Sequence, residues 1–167
     1  SKPISIMEVC GTHTVSISRF GLRSLLPTHI RLISGPGCPV CVTSQGDVDL
    51  VIMLAREGRC QGKCIIATFG DMMRVPGSNT SLMKEKARGA DVRIVYSPAD
   101  ALTIAAENPG AEVVFFAVGF ETTSPTIAAT VLKAQHSNIG NFSIISNHKL
   151  IPPAMHVLLE DETTAID

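Results

Sequence analysis

Tryptophan is absent from the 167 residues, tyrosine occurs once and phenylalanine six times. Without large aromatic anchors the core must be filled by Ile, Val, Leu, Ala and Met, which suits a parallel sheet wrapped by helices. No apolar run approaches the roughly 20 residues that span a bilayer, and the first residues carry no signal-peptide pattern. No membrane partner is expected. Charge of one sign is missing too: the formal net charge is −1 and the lysines and arginines are scattered, so no basic stripe marks a nucleic-acid partner. Low-complexity tracts are lacking, and 45% hydrophobic against 17% charged residues excludes a disordered chain.

Five cysteines are present. The chain is expected to be cytoplasmic, and in a reducing compartment those thiols read as redox or metal chemistry rather than as a disulfide framework. Their odd number leaves at least one unpaired.

Strand and helix patterns alternate about six times. Apolar runs at 4–9, 30–33, 64–69, 92–96, 113–118 and 142–146 read as strands. Helical periodicity covers 13–26 up to Pro27, 47–56 up to Gly58, 81–88, a helix from Pro98 to Asn108, 126–135, and a last helix starting near Pro152 or Pro153. The fold class expected is α/β, with mainly parallel sheets flanked by helices. Residues 1–97 are expected to form a first α/β domain carrying the cysteine motifs, and 98–167 part of a second, similar one. Thr164–Asp167 looks like the approach to a further strand, which suggests a fragment. A fragment should expose apolar surface and self-associate.

Two blocks each follow an early strand: Cys10-Gly11-Thr12-His13-Thr14, and Gly35-Pro36-Gly37-Cys38-Pro39-Val40-Cys41. In a parallel sheet both fall at the same edge, so three thiols and an imidazole can converge. Cys38 and Cys41 have the CxxC spacing that closes a small disulfide ring or binds one metal ion, and the pair lies just before a predicted helix, as in thiol oxidoreductases. Joined with Cys10 and His13, it also has the ligands of a structural Cys3His zinc site. Cys64, opening an apolar strand, reads as a small core residue, and Cys60 as an exposed thiol in a turn. His29, His136 and His156 read as ordinary surface or strand-entry residues. His148 sits just past a predicted strand end.

Two later loops follow buried strands, where α/β proteins place function. In Gly70-Asp71-Met72-Met73-Arg74-Val75-Pro76-Gly77, Asp71 and Arg74 either pair with each other or face a ligand. In Gly119-Phe120-Glu121-Thr122-Thr123-Ser124-Pro125, backbone N–H groups and hydroxyls suit an anion or cofactor contacted by Glu121 and Thr122; the plain alternative is a helix start capped by Thr123 or Ser124. The phosphate loop GxxxxGK[ST] is lacking.

Taken in order, Met7–Thr14, Gly35–Cys41, Thr68–Gly77 and Gly119–Pro125 resemble the HypD family of [NiFe]-hydrogenase maturation factors. The resemblance covers essentially the whole chain. It implies a metallocofactor assembly scaffold with redox-active thiols rather than a conventional enzyme, working with HypC (or its paralogue) and HypE to build the Fe(CN)2CO moiety. It further implies that Cys10, Cys38 and Cys41 are the family's essential cysteines and His13 its histidine. One or more of these sulfurs would hold iron; Cys38 and Cys41 would hold it, reduce it by cycling between dithiol and disulfide, or do both in turn, and His13 would donate to or carry protons near Cys10, with direct ligation the lesser alternative. The [4Fe-4S] cluster of the full-length family member is not expected in this stretch. A thiol-disulfide oxidoreductase and a zinc module remain the alternatives.

Overall fold

The computed structural model describes residues 2–61, 64–161, 163, 164 and 166, less the side chains of residues 59–61. The chain divides into two compact units, one made of Ser1–Val42 with Leu150–Asp167 and the other of Thr43–Lys149.

In the first unit, β1 (Ile4–Glu8) and β2 (Ile30–Ser34) pair in parallel, with Ile4 opposite Ile30 and Glu8 opposite Ser34. Between them run α1 (Gly11–Arg19) and α2 (Leu22–Leu25). A single helix is expected here, yet Gly21 takes φ 62°, a left-handed turn that ends one helix before the next begins. Its carbonyl accepts from Ser24 Oγ at 2.7 Å. The helix Ile151–Glu160 completes the unit. No described residue of this unit is fully buried.

The second unit opens with α3 (Gln45–Gln61), capped by Ser44, whose Oγ accepts from the backbone N–H of Asp47 at 3.1 Å. The expected stop at Gly58 does not occur. That glycine instead lets the helix pass close over the start of β3 (Cys64–Thr68), where a Cβ would stand 2.6 Å from the Cys64 carbonyl oxygen. A 3-10 turn (Gly70–Arg74), α4 (Leu82–Ala87), β4 (Val92–Ile94) and α5 (Pro98–Glu107) follow. Both helices start on serines: Ser81 accepts from Lys84 N–H, and Ser97 forms a reciprocal capping box with Asp100. Then come β5 (Glu112–Phe120), α6 (Ser124–His136) and β6 (Phe142–Lys149).

All four strands of this unit are parallel, in the order β4-β3-β5-β6. β3 and β5 are central and covered on both faces, which explains their nearly unbroken apolar runs. Ile65, Ala67, Val113, Phe115 and Ala117 pack with Ala101 and Ala105 of α5 and Ile127 of α6. α3 packs on β3. The α/β class with parallel strands is therefore present. The sheet runs straight through the boundary expected at 97–98, since β3 and β4 precede it and β5 and β6 follow it. Backbone pairing gives the reason: β5 pairs with both β3 and β6 and cannot be parted from either. The strand expected near Thr164–Asp167 falls partly on residues outside the described set, as does the side chain of Cys60.

Candidate functional site

In the first unit, both cysteine blocks leave the sheet at its C-terminal edge, because β1 and β2 are parallel and each block follows one strand. Cys10 is the residue immediately preceding α1, with extended backbone and no side-chain cap bond. Its carbonyl accepts from the N–H groups of His13 at 2.9 Å and Thr14 at 3.2 Å. The two blocks touch at their glycines: a Cβ on Gly11 would lie 3.2 Å from Cys38 Cβ, and one on Gly35 would collide with the Glu8 carbonyl oxygen. Only glycine fits at 35, whereas at 11 a Cβ would push Cys38 aside by a few tenths of an ångström. Cys10 and Cys38 are half-buried and Cys41 is exposed, and all three carry thiols. His13, on α1, is exposed.

Glu8 and Thr14 belong to this edge as well. Thr14 Oγ1 donates to Glu8 Oε1, bridging the end of β1 to the first turn of α1. Burial raises the Glu8 carboxyl pKa, but hydrogen bonds from Thr14 and Ser34, with the Arg23 charge, outweigh it and hold the group below its usual range. Both residues lie inside the Met7–Thr14 block, so that block marked them while giving neither a role.

In the second unit, the chain turns from β3 toward β4 on one side and from β5 toward β6 on the other, which makes the C-terminal ends of β3 and β5 the topological switch point. Ligands of open α/β sheets bind there. The loops after these two strands are the ones carrying Asp71, Arg74, Glu121 and Thr122. Asp71 Oδ1 accepts from Met72 N–H at 3.0 Å, and Asp71 and Arg74 are both exposed. Thr122 is exposed and Glu121 half-buried. Thr123 does not cap α6; its Oγ1 donates to the Phe120 carbonyl at 2.8 Å. His148 lies within β6 rather than past it, opposite Gly119, because β6 keeps pairing with β5 to Lys149. Its Nδ1 meets Ser146 Oγ at 2.8 Å, and burial pulls its pKa down, so the ring is neutral near neutral pH.

A sequence model of HypD, described as the hydrogenase formation hypA family, matches residues 1–167. The chain belongs to the HypD family. It is 53% identical over 160 residues to hydrogenase maturation factor HypD2 of Bradyrhizobium diazoefficiens, covering 95% of this chain and 41% of that protein. It is 51% identical over 166 residues to HypD of Rhodobacter capsulatus and 50% identical over 166 residues to HypD of Escherichia coli, in both cases 99% of this chain and 43% of the relative. The chain thus spans about two fifths of the length of these HypD relatives.

Within this HypD stretch, no three Cys, His, Asp or Glu side chains among the described residues stand together as a metal-binding group. A closed zinc site needs four ligands, so the Cys3His arrangement permitted by the spacing is not assembled here. The helix predicted after the CxxC from residue 47 begins at Gln45, two residues earlier, and still leaves Val42, Thr43 and Ser44 between it and Cys41. A thioredoxin-like pair would sit at that helix start, where peptide dipoles favour the thiolate. Here the cysteine at a helix start is Cys10.

Proposed function

We propose that this chain is the thiol-bearing part of a hydrogenase maturation scaffold that, with HypC and HypE, assembles the Fe(CN)2CO moiety of the [NiFe] active site in the cytoplasm. The observation that carries the reading is the contact of the Cys10-Gly11 and Cys38 blocks at one sheet edge, in a chain of the HypD family. The iron moiety is cargo, received and passed on, so a site open to a partner suits it better than a closed cage. Low-spin iron(II) bearing cyanide and carbonyl is soft and is held well by thiolate, and a partner can supply a further ligand. Cys10 and Cys38, half-buried on the two blocks that meet at Gly11, are the thiols we assign to holding it. Cys41, exposed three residues from Cys38, is assigned to redox: as Cys38 releases the iron to Cys10 and the partner's ligand, joining the two sulfurs gives two electrons to the iron moiety during ligand attachment and two protons to His13 and solvent. His13 takes up or delivers protons near Cys10. Asp71, Arg74, Glu121 and Thr122, at the switch point of the second unit, are assigned to contacts with the delivering partner.

The test uses the full-length protein carrying this stretch, purified with HypC, with bound iron measured together with the infrared bands of iron-bound cyanide and carbonyl. Cys10→Ala and Cys38→Ala should each lower those bands at least about tenfold, the loss of one strong ligand. Cys41→Ala should retain iron but arrest ligand attachment. Unchanged bands in Cys10→Ala or Cys38→Ala would overturn the assignment.

A further inference from the structure

The chain passes between its two units at Val42–Thr43 and again at Lys149–Leu150. Within the second unit these entry and exit segments are joined to each other. Asp47 Oδ2 accepts from Ser44 Oγ at 2.6 Å and from Asn147 Nδ2, a hundred residues away in sequence, also at 2.6 Å. Lys149 adds its charge to the attraction on Asp47. Asn147 is only 6% exposed, and its Oδ1 is sealed off without a hydrogen-bond partner.

Capping of α3 does not account for this arrangement, because Ser44 alone already accepts the Asp47 N–H. A buried amide with one unsatisfied end is costly, and an apolar residue at 147 would avoid that cost. The bond that Asn147 does make is of the stronger, charge-assisted kind. It also reaches far: α3 lies against β3, whereas Asn147 is on β6, the edge strand two places away.

We infer that Ser44, Asp47 and Asn147 form a clamp that yokes the two ends of the second unit, so that both connections leave it as a pair. The exit segment lies on the edge strand β6, held on one side only by the β5–β6 ladder that continues to Lys149, and the clamp adds a second hold through Asn147. The entry segment has no strand of its own; besides the packing of α3 on β3, the clamp joins it to the exit segment. Loosening either partner should therefore free both segments, while the sheet centre stays closed.

Amide hydrogen exchange on this chain tests the idea, followed in peptides covering 43–50, 64–68 and 144–150. Asn147→Ala should speed exchange in 43–50 and Asp47→Ala should speed it in 144–150, each by about tenfold, with 64–68 unchanged. Acceleration confined to the mutated segment would overturn the clamp and leave a local cap. If either alanine variant loosens 64–68 as well, Asp47→Asn, which keeps the shape and removes the charge, decides: reciprocal acceleration at smaller amplitude supports the clamp, and a change in 43–50 alone overturns it.

Discussion

Glu85 shows what a single buried charge does in this molecule. Its side chain is 1% exposed, and Oε1 accepts from Arg56 at 3.1 Å and from Arg88 at 2.8 Å. The Arg56 hydrogen bond, reinforced by both guanidinium charges, holds the carboxyl down at about 2 against the opposing effect of burial. A carboxyl depressed from 4.5 to about 2 contributes stability that is complete above 4.5 and is lost as pH falls toward 2. Since both arginines are about half exposed and screened, the contribution is about 2 to 3 kcal/mol. Denaturant unfolding at pH 7 and pH 3 should show the wild type losing much of this difference, while Glu85→Gln shows a flatter dependence. Glu85→Ala at pH 7 should cost about 3 kcal/mol, because it strands two cations against a buried surface. Equal pH dependence in wild type and Glu85→Gln would refute the account. In sequence, Glu85 is one charge among several in Lys84-Glu85-Lys86, and nothing local shows that it is the one turned inward.

At the scale of elements, the alternation of strands and helices was legible because β3 and β5 are buried on both faces and read as continuous apolar runs. The same holds for the chemistry at the strand ends: Cys10, Cys38, Asp71 and Glu121 all follow strands, and parallel pairing puts those ends on one edge of each sheet. Long-range pairings were not legible. Gly58 looks like a helix stop because its role is set by Cys64 on the next strand, and Asn147 looks like loop because its strand pairing is with Val118 of β5 and its side-chain partner is Asp47. Gly58→Ala separates local from tertiary effects. Helix propensity favours alanine by about 1 kcal/mol, yet the added Cβ would meet Cys64 Cβ at 2.7 Å as well as its carbonyl. Overpacking of this kind costs about 1 to 3 kcal/mol, so the variant should be less stable on balance. A higher melting temperature for Gly58→Ala would show that β3 yields to the helix.

On the scale of the whole molecule, the two units differ in what holds them. Every fully buried side chain among the described residues lies in the second unit, from Val48 to Asn147. The first unit rests on two paired strands, and Phe20, Leu25, Leu150, Val157 and Leu159 are each more than 60% exposed. Two-stranded sheets are marginal in water without a covered apolar face. The unit that carries Cys10, Cys38 and Cys41 is therefore the less stable one, and its apolar side chains are open to partners, including a second copy of the chain. Two outcomes are expected of this chain in solution. Thermal unfolding followed by amide exchange should proceed in two steps, with 4–34 opening before 64–68 and 112–120. Sedimentation should show association that rises with concentration and is reduced by Leu25→Glu together with Leu159→Glu, two changes that cost little folding energy at exposed positions. A strictly monomeric species at high concentration, with a single cooperative transition, would show that the first unit supports itself.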